Sequence, residues 1–242
     1  MPFLTAQLSR LILLNYELDP ALLAPRLPAH TELDFYDHRT FVTLLGLHFS
    51  RPGIYGLPLP FYREYAQVNL RFYVRRRIER GNWRRGVVFI KQIVPHRPVA
   101  WAARSLFHET MVALSMNEAN LSQGRDTMMS EYGWRSEGQR YFIRAVYPDH
   151  PILPEPGSVE EFLLERYWGY NRQKDGDCLE YRFSHPPWRI CKTVEAEASP
   201  GLGDFYGPPF TEIFSGRPDS AFAAGGSQVT LYRGHPCQAP VS

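Results

Sequence analysis

Asn69, Arg71 and Tyr73, set two residues apart, carry the first chemical signal in this chain of 242 residues. On a strand that spacing puts all three side chains on one face. A guanidinium offers a rigid fork of donors that suits a carboxylate, and the carboxamide and phenol beside it set the angle of approach. Gln67 extends the row by one step. Two carboxyls lie near: Glu64 just before the row and Glu109 well after it. Either would act as general acid or base if it faced the same space. Arg104 adds a second cation in an otherwise apolar stretch, Val99 to Phe107. A guanidinium in such a place pairs with a carboxylate or reaches for an anion.

The elements that must hold these groups are legible nearby. From Tyr65 to Arg75 the side chains alternate, with Ala66, Val68, Leu70, Phe72 and Val74 on one face and the polar row on the other, which is a strand pattern. Gly81 permits a reversal. Gly86 to Val94 is then nearly all apolar, broken by Lys91 and Gln92, and a strand of that kind is covered on both faces. Val99 to Phe107 follows as a helix. The polar face of the first strand is either solvated or the wall of a cavity, and periodicity leaves both open.

Around this centre the chain reads as mostly β with a few short helices. Leu4 to Tyr16, Glu32 to Tyr36, Thr40 to Phe49, Met111 to Met116, Trp188 to Ala196 and Gln228 to Tyr232 are expected strands. Met128 to Trp134 and Arg140 to Tyr147 pair about Glu137-Gly138, and Tyr167 to Arg172 pairs with Leu179 to Phe183 about Asp175-Gly176. Asp19 caps a short helix with Pro20 in its first turn, and Ser158 with Glu161 caps another. Pro200 to Pro209 reads as a loop, and the chain from Gly234 as frayed. Residues 1–242 are expected to form one domain, long enough to bury roughly 70–75% of its unfolded surface.

Composition removes several classes of function. The formal net charge is +2, which disfavours a chain-wide polyanion binder. Arg71, Arg75, Arg76, Arg77, Arg80, Arg84 and Arg85, with Phe72, Tyr73 and Trp83 among them, have the composition of a nucleic-acid groove. A solvated hairpin tip has the same composition, and that is the reading taken here. The histidines show no metal-ligand spacing, so no metal or cofactor is expected. Gly201-Leu202-Gly203 has Tyr206 where a third dinucleotide-binding glycine would stand. Cys178, Cys191 and Cys237 are odd in number and widely spaced, fitting neither a disulfide framework nor zinc, and suggest a reducing cytoplasm. No run approaches the ~18 apolar residues that span a bilayer.

The motifs in order resemble a bacterial family of unknown function, the YqjF-like proteins. Asn69-x-Arg71-x-Tyr73-Val74 is followed by Arg85-Gly86-Val87-x-Phe89 and by Ala103-Arg104. Tyr167-Trp168-Gly169-Tyr170 and His185-Pro186-x-Trp188 come later, while Asn15-Tyr16, Asp19-Pro20 and Leu27-Pro28 precede them. That family is similar in fold to acetoacetate decarboxylase. The resemblance implies a closed or curved, mostly antiparallel, barrel-like architecture around a pocket, and it favours the cavity reading of Arg71 and Tyr73. The decarboxylase uses a Schiff-base lysine, activated by a neighbouring cation. Here the corresponding positions fall near Met111 and Val112, and no lysine lies between Lys91 and Lys174. Gln67 stands where the resemblance implies a glutamate, unless a bulge brings Glu64 into its place. The expectation is therefore a cytoplasmic protein whose pocket takes a small, anionic organic molecule through Gln67, Asn69, Arg71, Tyr73 and Arg104. A non-covalent lyase or hydratase using Glu64 or Glu109 is the alternative.

Overall fold

A computed structural model describes residues 2–79 and 81–238. The elements in chain order begin with β1 (Pro2–Leu18), α1 (Pro20–Leu23), β2 (Glu32–Leu33), β3 (Thr40–Ile54), β4 (Leu57–Pro58), β5 (Glu64–Glu79), β6 (Asn82–Val94) and α2 (Arg97–Phe107). There follow β7 (Met111–Ala113), β8 (Ser115–Ser122), β9 (Thr127–Ser136), β10 (Gln139–Pro148), α3 (Val159–Leu164), β11 (Trp168–Arg172), β12 (Cys178–Ser184) and β13 (Ile190–Lys192). The last are β14 (Glu195–Ala198), α4 (Leu202–Tyr206), α5 (Phe210–Ile213), β15 (Ser220–Ala224), β16 (Gln228–Tyr232) and β17 (His235–Pro236).

The strands make two sheets. The larger runs β13-β15-β1-β16-β12-β11-β6-β5-β3-β4, and β1 also pairs with β3, so the sheet curls back on itself. It is a curved ring, not a regular barrel: most neighbours are antiparallel, but β11 meets β6 in a short parallel contact. The smaller sheet, β14-β10-β9-β8, packs on the outside of the ring.

That arrangement explains the burial of β5. Its apolar face, Ala66, Val68, Leu70, Phe72 and Val74, is covered from outside by the smaller sheet through Tyr132, Trp134, Tyr141 and Ile143. Burying each of the larger of these side chains contributes on the order of 1.5–3 kcal/mol. Gly46 on β3 permits the close approach, since a Cβ there would lie 2.3 Å from the Tyr132 ring. The polar face of β5 turns the other way, into the ring.

Local signals hold at several ends. Asp19 accepts from the Ala21 N–H at 2.8 Å with Pro20 at the helix start, and Ser158 Oγ accepts from the Glu161 N–H. Elsewhere the fold corrects the sequence. Trp188 to Ala196 is not one strand: β13 joins the large sheet and β14 the small one. Residues 200–209 contain α4, which Gly201 opens at a φ of 72°, and α5 follows it. The glycines and prolines that suggested a loop sit at the ends of these helices. Only Glu32–Leu33 of the 32–36 segment pairs in the sheet. Residues 235–237 are tied down, because β17 pairs with β12 and Cys237 forms a disulfide with Cys178, and residues 239–242 of the segment expected to fray lie outside the described residues. The odd cysteine count concealed that bridge, and Cys191 is the buried free thiol. No helix among the described residues is long and apolar enough to cross a membrane.

Candidate functional site

The ring holds a cavity of about 380 Å³ that is partly open to solvent. Leu4, Ala6 and Leu8 of β1, Leu45, Leu47 and Phe49 of β3, and Val229 and Leu231 of β16 give it apolar walls. One wall differs. Gln67, Asn69 and Arg71 project into it from β5, each at most 8% exposed.

β6 supplies the next polar group through an irregularity. The pairing of β5 with β6 shifts between Leu70↔Lys91 and Arg71↔Phe89, leaving Ile90 as an extra residue. An extra residue breaks strict alternation. Gln92 and Phe89 therefore both line the cavity, while Lys91 faces away and donates to the Phe205 carbonyl at 2.8 Å.

From Gln67 a chain of hydrogen bonds crosses the wall. Gln67 Nε2 donates to Gln92 Oε1 at 2.8 Å, and Gln92 Nε2 donates to Glu109 Oε2 at 2.8 Å. The Tyr181 hydroxyl donates to the other Glu109 oxygen. Burial pushes the Glu109 carboxyl up to about 7, and the hydrogen bonds from Tyr181, Gln92 and Asn171 oppose part of that rise. Burial likewise raises the Tyr181 phenol, with the Glu109 carboxyl adding to it. Near neutrality, then, the cavity holds a carboxyl poised between its two protonation states.

Two guanidiniums occupy the other end. Arg71 donates through Nη2 to the Leu163 carbonyl at 3.2 Å. Arg166, 4% exposed, donates through Nε to the Phe162 carbonyl and through Nη1 to Asp34. Burial lowers the Arg166 affinity for its proton and Asp34 offsets part of this, yet an arginine remains charged. Both guanidinium carbons lie near the Tyr73 ring, 5.7 and 5.0 Å from its centroid. Four buried polar atoms here have no protein partner: Arg71 Nε, Arg166 Nη2, Asn69 Oδ1 and Asp34 Oδ1. Buried polar atoms are normally satisfied, so this end of the ring carries unmet hydrogen-bonding capacity.

The residues expected from sequence fall into three groups. Gln67, Asn69, Arg71 and Glu109 line the cavity together. Tyr73 lies behind the lining, where its hydroxyl pairs with Thr43 Oγ1 at 2.6 Å, and it supports the two guanidiniums instead of facing the hollow. Glu64 and Arg104 are exposed and outside the lining. The pairing of β3 with β5 is regular from Glu64 onward, so no bulge turns Glu64 inward. Arg104 lies on the outer side of α2, whose inner side presents Val99, Ala102 and Ala103 to the cavity. Arg166, Gln92 and Tyr181 were not anticipated. Gln92 had a local sign, as a polar residue breaking an apolar strand. Arg166 had none, because its partner Asp34 lies 132 residues away.

The lysines lie elsewhere. Lys91 is turned away, and neither Lys174 nor Lys192 lines the cavity, whereas Met111 does. The arginines of the β5–β6 hairpin are largely paired with acids: Arg75 with Glu32, Arg76 and Arg84 with Glu180, and Arg85 with Asp34. Arg80 lies outside the described residues. Among the described residues no group of three or more histidine, cysteine or acidic side chains is placed to hold a metal ion.

This fold is that of the acetoacetate decarboxylase-like proteins. The chain superposes on acetoacetate decarboxylase from Legionella pneumophila with a TM-score of 0.65 at 14% identity, covering 98% of this chain and 88% of that one. It superposes on the enduracididine biosynthesis enzyme MppR in complex with pyruvate with a TM-score of 0.67 at 11% identity, over 98% and 91% of the two chains. In sequence it is 25% identical over 188 residues to the uncharacterised protein YqjF of Bacillus subtilis strain 168, covering 76% of this chain and 73% of that protein. Residues 5–224 match the DUF2071 family of uncharacterised conserved proteins, and the chain belongs to that family.

Proposed function

We propose that this protein binds a small organic anion in the cavity of the ring, non-covalently, with Arg71 and Arg166 holding the charge. The observation that carries this reading is the pair of buried guanidiniums, Arg71 and Arg166, that line one end of a largely apolar cavity. Bringing two cations out of water is costly unless anions meet them. Asp34 answers for part of that charge, and a ligand carboxylate would answer for the rest. Asn69 and Gln67 would then fix its orientation. MppR, whose fold is similar, forms a complex with pyruvate, which supports a small organic anion as the ligand here. The reading calls on no imine, because no lysine is among the residues that line the cavity. It treats residues 1–242 as one unit, and a cytoplasmic setting is part of the proposal.

A second reading is favoured by one specific feature. A carboxyl titrating at about 7 beside an anion site is matched to proton transfer at neutral pH. Glu109 would then serve as the acid or base of a lyase or hydratase acting on the bound molecule. Binding without chemistry and binding with it make the same first demand on Arg71.

Thermal unfolding against a panel of carboxylic acids and their primary amides tests the proposal. A ligand at a hundred times its dissociation constant stabilises the folded state by about 2.7 kcal/mol. Acids should raise the midpoint and amides should not, and Arg71→Met should abolish the difference. Equal shifts for acid and amide would refute the anion site. Borohydride reduction in the presence of β-keto acids should leave the mass of the protein unchanged.

A further inference from the structure

We propose that the ligand is an amphiphile: a carboxylate on a hydrocarbon body of on the order of ten carbons, given about 30 Å³ for each heavy-atom position in the cavity. This deepens the anion-binding reading above and rests on it. The lining places its guanidiniums together, and much of the rest of it is apolar. The guanidiniums of the lining, those of Arg71 and Arg166, stand at the end near α3. The walls from β1, β3 and β16 carry Leu4, Leu8, Leu45, Leu47 and Leu231, which offer a ligand nothing but contact.

A short acid such as acetate would satisfy the guanidiniums and leave most of the 380 Å³ unfilled. Water would find few partners along leucine walls, because a buried water needs two to four polar neighbours. A hydrocarbon chain removes that problem, gaining dispersion contacts along the same walls. The rim agrees. Leu106 of α2 lines the cavity and is 61% exposed. An apolar side chain held at an opening suits the passage of a hydrocarbon better than that of a small hydrophilic acid.

The test is calorimetric titration with straight-chain carboxylates from acetate to decanoate, each below its micellar concentration, beside the matching primary amides and alkyl phosphates. Each added methylene should tighten binding about three- to fourfold until the cavity is full, after which affinity should level off. The stoichiometry should be one throughout. Ala6→Phe and Ala102→Phe each add a ring to an apolar part of the lining, and either should move the plateau to a shorter chain. If one variant fails to fold, the other still reads the effect. Affinity independent of chain length, with acids still preferred to amides, would overturn the amphiphile and leave the anion site standing. Chain-length dependence with no preference for acids would overturn the anion site and this inference with it. An alkyl phosphate binding more tightly than the matching carboxylate would overturn the carboxylate head.

Discussion

A buried carboxyl that titrates near neutrality makes folding stability depend on pH, and Glu109 does so with a definite sign. Its folded value is about 7 against an ordinary 4.5. Between those two values the folded chain keeps the proton that the unfolded chain has released. Stability contributed by this group is therefore full below the lower value and declines as pH rises through the window. Above the upper value the loss is complete. At about 1.36 kcal/mol for each tenfold change, the loss is on the order of 3 kcal/mol. Glu109→Gln has no proton to lose, and its amide can still accept from Gln92 and face the Tyr181 oxygen. Urea unfolding across this range should show the parent chain losing stability as pH rises and the variant losing about 3 kcal/mol less. Parallel curves would mean that Glu109 does not titrate there. Arg166 differs from Arg71 as a target. Its removal strands the buried Asp34 carboxylate, with only Arg85 at 3.5 Å for company. Arg166→Met should therefore cost about 3–5 kcal/mol in stability, measured by the same unfolding, and Arg71→Met considerably less.

At the scale of elements, the site depends on two strands meeting at a glycine. Gly169 of β11 pairs across from Tyr181 of β12, whose ring lies over it. A Cβ at Gly169 would sit 2.3 Å from that ring and 2.8 Å from its hydroxyl. Tyr181 is buried and cannot step aside freely. Gly169→Ala should cost about 1–3 kcal/mol by overpacking. It should also pull the hydroxyl from Glu109, and because that hydrogen bond lowers the carboxyl's value, the pH window of stability should extend upward. A stability loss with an unchanged window would separate simple crowding from the link to Glu109. Much at this scale was legible in sequence. Strict alternation from Ala66 to Val74 fixed both faces of β5, and the polar row Gln67, Asn69, Arg71 was visible as a row. What lay over each face was not legible, since the same alternation serves a solvated strand. The bulge at Ile90 was equally hidden. It decides that Gln92 faces the cavity and Lys91 does not, and it exists only in relation to the partner strand. Tyr181 and Arg166 reach the site from segments about a hundred residues from β5, across contacts that no local pattern announces.

At the scale of the whole molecule, the cavity exists because the large sheet returns to its own first strand. β1 pairs with β16 on one side and β3 on the other. β12 is the span that carries Tyr181 into the hollow. Its Cys178 is joined to Cys237 across 59 residues, and that loop also contains His185 and Trp188 of the lining. Cross-linking a loop of this length removes chain entropy from the unfolded state, for a stabilisation of at most about 4 kcal/mol. Cys237→Ser should lower unfolding stability by up to that amount. It should leave acid-over-amide discrimination intact, because Arg71 and Arg166 lie outside the loop. Loss of discrimination together with stability would mean that the bridge holds the site and not only the fold. The same bond bears on where the protein works, since thiols stay reduced in the cytoplasm of most cells and pair in oxidising compartments. Acid-quenched cells, denatured and alkylated before lysis, distinguish the two. A cytoplasmic protein should take up alkyl groups at Cys178, Cys191 and Cys237, whereas one from an oxidising compartment should take up a single group, at Cys191.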